Sequence, residues 1–506
     1  MQNEPNTPLL HKHQLVLLIA ILLMNLLLAS MTITLGHNWG DDFSAYIMQA
    51  INLVDGSISQ YIAQNTFTIE KSSIVFGPVL YPWGYPLLLR PIYLIFGLNL
   101  VAFKALNIFL YLLFLVCLYY LFADRLNPHE IPLLVAIFAF NPAILGFLDN
   151  ILSDIAYLFF SSLAIYLIDR IFLSKRKIFS SLVDAILLGI TIFYAFFIRS
   201  TGIMLLATLT ICQIIQIFPL HASPKLRIDR SIWVELAPYL VFTCLLVGSS
   251  IIWEQDLTYY LIQLNRLNLL LILKHVVLYT LMPSLFWYPG RLLSNVNILV
   301  TVLLTPLLLL GVWSRKKTDY PFIVYAGLTT VFYIFWPPLQ GLRFIFPVLP
   351  FYVYFIYLGS KWLVLKNFRS RHWSIVNIPS AILVVVILVF FSITLSSGIG
   401  NLKNHRQISG PFDSLSAQMF AFVSQYTRED DTFIFFKPRI LRLITQRNAF
   451  YTESCAEFPQ ADYLILYKET DIPTLTREKI YECQNINLQN LIFSNQRFDI
   501  YRVGEN

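Results

Sequence analysis

Residues 15–35 read LVLLIAILLMNLLLASMTITL, and residues 37–50 continue HNWGDDFSAYIMQA. A helix of about 20 apolar residues matches the ~30 Å hydrocarbon core of a bilayer, so the first stretch predicts a membrane span. The second stretch sets two adjacent carboxylates, Asp41 and Asp42, just beyond the end of that span. The apolar run is too long for the core of a secretory signal and no small-residue cleavage pattern follows it, so it is expected to be retained.

The rest of the chain extends this reading. Of 506 residues, 57% are hydrophobic, 15% aromatic and only 13% charged, about half the charged share of an ordinary soluble domain. Composition therefore predicts a polytopic α-helical membrane protein. Hydropathy predicts about eleven spans, over 15–35, 99–122, 131–148, 152–172, 182–198, 202–218, 236–253, 295–313, 321–336, 345–362 and 377–397. Lys175, Arg176 and Lys177; Lys225, Arg227 and Arg230; Arg315, Lys316 and Lys317; and Lys366, Arg369 and Arg371 fall in alternate loops. Basic residues mark cytoplasmic loops, so the N-terminus is expected in the cytoplasm, with the acidic pair and everything after residue 398 on the opposite side. The formal net charge of +7 is then a matter of orientation, and no nucleic-acid partner is implied.

Three segments on the outer side are long enough to build a site. In the first, 36–98, Phe43, Tyr46, Ile47, Ala50, Ile51 and Val54 have the spacing of an amphipathic helix lying on the membrane surface. Pro78, Pro82, Pro86 and Pro91 then argue against a continuous span and for a surface-hugging loop with a short helix. In the second, 254–294, Arg266, Lys274 and His275 interrupt an apolar run, which predicts an interfacial helix. The third, 398–506, loses hydrophobicity: Leu415, Met419, Phe422, Val423 and Tyr426 have helical spacing, and DTFIFFK, ADYLILY and RFDIYRV read as strands. A transmembrane module over 1–397 and a small α/β domain over 398–506 follow. Cys117, Cys212 and Cys244 lie in or beside spans, whereas Cys455 and Cys483 lie in the tail, where an oxidising compartment would allow a disulfide.

In its motifs the chain resembles the GT-C glycosyltransferases, in the branch holding protein O-mannosyltransferases and lipid A aminoarabinose transferases. GDDFSAYIMQA followed by YPWGYPLLLRPIYLIFG is similar to the first outer loop of that branch. DNILSDIAYLFF, FIRSTGIMLL, LRFIFPVLPF and FFKPRILRLITQRNAF continue the resemblance into the tail. It implies an inverting transfer of a sugar from a polyprenyl-phosphate donor to an envelope acceptor, such as lipid A, a polysaccharide or a lipid-linked glycan. The expected setting is the periplasmic face of a bacterial inner membrane. The lipid-linked donor is a substrate, and no cofactor is implied.

A carboxylate within reach of an acceptor hydroxyl takes its proton as the new bond forms, and this role falls to Asp41 or Asp42. The acid pair favours Asp41 as its first member, whereas the spacing to Tyr46 favours Asp42. Asp42 is the preferred base, with Asp41 as orienter or helix cap. Asp154 is a second acid for positioning acceptor or sugar, or alternatively a cap of its own helix. A leaving lipid phosphate needs cations, for which Arg343, Arg199, Arg266, Lys274 and Lys71 are candidates. Snorkelling interfacial arginines and a solvated Lys71 are the plain alternatives. Tyr46, Tyr81 and Tyr85 are read as substrate contacts; Tyr81 stands where relatives carry Lys or His. His275, without partners at ligand spacing, predicts no metal site. The rival readings are a lipid-linked glycan transporter or flippase and an O-antigen polymerase or ligase.

Overall fold

The computed structural model describes residues 12–74, 76–172, 181–217, 232–254, 258–367, 377–469, 475–483 and 490–503. The basic residues Lys175, Arg176, Lys177, Lys225, Arg227, Arg230, Arg369 and Arg371 lie outside these. The helices are α1 (Lys12–Thr32), α2 (Asp42–Asp55), α3 (Ile58–Lys71), α4 (Gly84–Phe96), α5 (Leu100–Phe122), α6 (Glu130–Ala139), α7 (Pro142–Phe147), α8 (Asp154–Phe172) and α9 (Ser181–Ile198). They continue with α10 (Ile203–Ile217), α11 (Ile232–Ile252), α12 (Thr258–Leu264), α13 (Leu269–Leu281), α14 (Asn295–Arg315), α15 (Tyr320–Ile334), α16 (Leu349–Asn367) and α17 (Ile378–Lys403).

Among the described residues, six helical segments are long and apolar enough to cross a membrane: His13–Thr32, Leu100–Phe122, Ile232–Ile252, Leu269–Phe286, Asn295–Arg315 and Ile378–Lys403. All but one fall on predicted spans. The exception, Leu269–Phe286, was expected as an interfacial helix. In it the buried His275 ring meets the Ile334 carbonyl through Nδ1 at 3.2 Å, while Lys274 is exposed, as an interfacial helix allows. The predicted span 131–148 is broken, since Asn141 caps α7 by accepting from Ile144 N–H at 3.1 Å and Pro142 opens the new helix. The predicted spans 182–198, 202–218 and 321–336 are shorter apolar helices.

Charge sits at the two ends of the bundle. Where α5 and α8 finish and α15 begins, Arg125 donates to Asp169 at 2.8 Å and to Asp319 at 3.0 Å. Helices α14 and α16 touch backbone to backbone at Gly311 and Gly359. A Cβ on either glycine would overlap a main-chain carbonyl of the other helix. At the opposite end, α1 finishes, α5 and α8 begin, and the remaining segments gather.

The tail forms a five-stranded sheet of order β2-β1-β3-β5-β4, from β1 (Thr432–Ile434), β2 (Asn448–Phe450), β3 (Tyr463–Tyr467), β4 (Leu491–Ser494) and β5 (Phe498–Arg502). Pairings β1 with β2 and with β3 are parallel, and β5 runs antiparallel to both β3 and β4. Helices α18 (Ser414–Tyr426), α19 (Pro438–Thr445) and α20 (Arg477–Glu482) accompany it. Cys455 and Cys483 are joined as a disulfide with Cα atoms 5.2 Å apart. The tail docks on the first long segment: Thr68 donates to the Ala449 carbonyl at 2.8 Å and Ser73 N–H to the Tyr451 carbonyl at 2.9 Å. Sequence periodicity predicts α2 as a helix on a membrane surface. The helix is present, but Phe43 through Ala50 are all buried, because the helix packs both on its own segment, where Gln49 bonds the Tyr81 backbone and Tyr46 meets Tyr81 and Tyr85, and on the tail, where Phe43 meets Phe412.

Candidate active site

The acidic pair sits where α1 gives way to α2, and buried polar groups hold that turn. Lys104, fully buried in α5, donates to Asp149 at 2.6 Å, to the Gly36 carbonyl at 2.6 Å and to the Thr34 carbonyl at 3.0 Å. Asp149 also accepts from Thr34 N–H at 2.6 Å. Next to this anchor, His37 accepts from Ile151 N–H through Nε2 at 3.2 Å. Burial pushes the His37 imidazole down to about 4, so the ring is neutral at physiological pH and remains an acceptor.

The two carboxylates face different surroundings. Asp41 occupies the N-cap of α2 without making a side-chain cap hydrogen bond. Both its oxygens are buried and lack a hydrogen-bond partner, and its nearest cation is Arg439, at 3.5 Å. Burial raises the Asp41 carboxyl above its usual range, and Arg439 opposes the rise. Asp42, the next residue, keeps a third of its side chain exposed. It accepts from the Tyr81 phenol at 2.7 Å and lies 3.4 Å from the Arg343 guanidinium.

Tyr81 is held as firmly as its partner. Buried Gln49 clamps its backbone from both sides, accepting from Tyr81 N–H at 2.9 Å and donating to the Tyr81 carbonyl at 3.0 Å. Burial, then the Asp42 charge, push the Tyr81 phenol well above its ordinary value, so it stays a hydrogen-bond donor. Asp154, in the first turn of α8 and almost wholly buried, pairs with Arg199 and lies 3.8 Å from the second terminal nitrogen of Arg343. Arg343 therefore stands between Asp42 and Asp154. Tyr46 shares a hydrogen bond with Ser153 at 2.9 Å, beside that second acid.

These groups line one cavity of about 740 Å³. Asp41, Asp42, Tyr46, Tyr81, Asp154, Arg199, Arg266 and Arg343 all border it, with Tyr259, Tyr260, Phe332 and Trp336 as an aromatic wall. Three other candidates stand elsewhere. Tyr85 is buried beneath the site, its ring edge-on to Tyr46 and its hydroxyl donating to Asn107 at 3.0 Å. Lys71 donates to Gln460 at 2.9 Å on the surface, and Lys274 is exposed on α13. Sequence reasoning missed Lys437 on the cavity wall, Arg439 behind it, and the Lys104 anchor. Lys104 carried a usable signal, because it is a lone charge inside an apolar run and such charges are expensive without a partner. The two tail cations lie in FFKPRILRLITQRNAF, a stretch already quoted for its resemblance, but nothing local to it says that it reaches the acidic pair. Among the described residues, no group of three or more His, Cys, Asp or Glu side chains has metal-binding proximity.

No protein-family model and no curated protein matches this sequence. Solved structures do match. The oligosaccharyltransferase of Archaeoglobus fulgidus, tethered to an acceptor peptide, superposes with a TM-score of 0.55 at 10% identity, over 90% of this chain and 69% of that one. The same organism's AglB, in complex with an inhibitory peptide and a dolichol-phosphate, gives 0.52 at 11% identity over 90% and 69%. ArnT from Cupriavidus metallidurans, bound to undecaprenyl phosphate, gives 0.54 at 11% identity over 97% of this chain and 98% of that one. This chain shares the fold of these proteins.

Proposed function

We propose that this protein is an inverting glycosyltransferase that moves a sugar from a polyprenyl-phosphate donor to an envelope acceptor. The reaction takes place at the periplasmic face of a bacterial inner membrane, with the N-terminus in the cytoplasm and the tail in the periplasm. The observation that carries this reading is Asp42: a part-exposed carboxylate on the cavity wall, oriented by Tyr81 and faced by Arg343. The likeness in fold to a protein crystallised with undecaprenyl phosphate supports the donor class.

In this mechanism the acceptor hydroxyl attacks the anomeric carbon as Asp42 takes its proton. The bond from that carbon to the phosphate oxygen breaks, and its electron pair leaves with the lipid phosphate. A single displacement inverts the anomeric centre. Arg343 and Arg199 stabilise the charge that develops on the phosphate, and Arg266 adds a third cation on the wall. The aromatic wall offers sugar-stacking faces. Asp154 keeps both arginines in place and provides a second acceptor for sugar or acceptor hydroxyls.

The test is mass spectrometry of envelope glycans and polyprenyl-linked sugars in cells with the wild-type protein, a deletion, Asp41→Asn or Asp42→Asn at matched membrane levels. The expected result is a glycan lacking one sugar and an accumulated lipid-linked donor in both the deletion and Asp42→Asn. Glycans altered by the deletion but untouched by either substitution would replace this reading with transport.

Two further outcomes are expected in membrane assays of transfer. Arg343→Gln lowers turnover about 100-fold, as loss of a group stabilising transition-state charge does; an unchanged rate would remove this arginine from the chemistry. Gly77→Ala lowers turnover about tenfold by weakening one charge-assisted hydrogen bond. A Cβ at Gly77 would overlap the Tyr81 phenol oxygen and drive it off Asp42. If Gly77→Ala kept full activity, Tyr81 would not be orienting the base.

A further inference from the structure

We propose that Arg439, carried by the tail, is a positioning residue for the base, so that the C-terminal domain is a working part of the active site. Arg439 sits in the first turn of α19 and is completely buried. Its Nε donates to Asn65 Oδ1 at 3.0 Å, and one terminal nitrogen donates to the carbonyls of Gly77 at 3.0 Å and Pro78 at 2.8 Å. The other terminal nitrogen lies 3.5 Å from Asp41 Oδ2. The guanidinium carbon stands 5.9 Å from the ring centre of Tyr81.

One planar fork thus joins three stretches: α3, the 77–81 turn, and the start of α2. The last two are the supports of Asp42. Asp41 is its chain neighbour, and Tyr81 is its hydrogen-bond donor. Arg439 makes no hydrogen bond or ion pair with Asp42 itself and acts through both supports. A buried guanidinium is costly unless it is paired; here Nε and one terminal nitrogen bond Asn65 and the stretch that leads to Tyr81, while the other terminal nitrogen makes no hydrogen bond and is paired by charge with Asp41 alone.

Arg442, one turn further along α19, supplies the internal control. It is also buried and also bonds the first long segment, donating to Thr68 at 2.7 Å. It makes no hydrogen bond or ion pair with Asp41, Tyr81, Gly77 or Pro78. If tail docking alone mattered, the two arginines would be equivalent. If Arg439 positions the base, they are not.

The experiment compares Arg439→Met, Arg439→Lys and Arg442→Met in the full chain. Hydrogen exchange is measured over residues 76–83, affinity is measured with undecaprenyl phosphate as probe, and transfer is read as envelope glycan product at matched membrane levels. Both Arg439 variants are expected to exchange the 76–83 amides about tenfold faster and to lose about 100-fold in transfer through misplacement of the base. Their affinity for undecaprenyl phosphate stays unchanged, and Arg442→Met leaves the 76–83 exchange and the transfer at the wild-type level. Arg439→Lys keeps the charge and the stem but not the fork, so it decides the matter if Arg439→Met does not fold. Wild-type transfer in Arg439→Lys, unchanged exchange over 76–83, or equal losses in the Arg439 and Arg442 variants would overturn the proposal. The transfer arm rests on the glycosyltransferase reading, whereas the exchange arm does not. Accelerated exchange in a protein whose Asp42→Asn variant leaves all glycans intact would therefore sink that reading and keep the clamp.

Discussion

Asp42→Asn lowers sugar transfer by 10²–10⁴-fold, roughly the contribution of a positioned general base, while the protein keeps its melting temperature. The amide has the same shape, and its oxygen still accepts from the Tyr81 phenol, so the local structure survives. The lost element is the ability to take a proton. The charge that Arg343 faces is lost too, but Asp154 remains within 3.8 Å of that arginine and keeps it from being stranded. Asp41→Asn is expected to act differently. Its carboxylate is buried against Arg439, so the substitution lowers stability and loosens the turn without removing the base. Initial rates with a polyprenyl-phosphate sugar, measured beside thermal melts of the same preparations, separate the two effects. Full transfer by Asp42→Asn alongside an inactive, normally stable Asp41→Asn would exchange the roles assigned to them.

Lys104→Met costs about 3–5 kcal/mol of stability, the usual cost of stripping one partner from a buried ion pair. The ammonium is fully buried and satisfies Asp149 together with the carbonyls of Thr34 and Gly36. Methionine fills the space but leaves a part-buried carboxylate and two carbonyls without their donor. Removing Asp149 as well gives only partial relief, because the Thr34 N–H then loses its acceptor. The loosened residues are those that lead from α1 into Asp41 and Asp42, so transfer should fall at temperatures well below the new melting point. A thermal melt of Lys104→Met in detergent is the direct measurement. An unshifted transition would mean that Lys104 does not anchor this turn.

Both predictions concern residues whose partners lie far along the chain, and this separates the readable from the unreadable part of the site. Asp41, Asp42, Tyr46 and Tyr81 could be picked out because a carboxylate pair beside a span, followed by a proline-rich loop, is a local pattern. Arg199, Arg343 and Asp154 could be picked out as charges near the ends of apolar runs, where each needs a reason. Their mutual arrangement was not visible. Nothing in LRFIFPVLPF says that Arg343 reaches both Asp42 and Asp154. Tyr85 belongs to the same aromatic-rich stretch as Tyr81, yet one phenol faces the cavity and the other lies under it. Lys71 and Lys274 have the same charge as Lys437, which borders the cavity while they do not.

The sequence by itself determined the apolar helices Lys12–Thr32, Leu100–Phe122, Ile232–Ile252, Asn295–Arg315 and Ile378–Lys403, the amphipathic helix after the acidic pair, and, in the tail, the helix Ser414–Tyr426 and the strands β1, β3 and β5. These follow from interactions within a few turns of chain, where the hydrocarbon thickness and the helical or strand period are written directly into residue order. The tertiary structure alone decided that the tail meets the start of α2 through Arg439, that Asp42 is oriented by Tyr81 while Asp41 is paired with Arg439, and that Lys104 anchors the turn between α1 and α2. Those outcomes depend on which helix ends meet and on which buried charge finds a partner hundreds of residues away. Packing geometry and desolvation set that pairing, and a one-dimensional pattern carries neither.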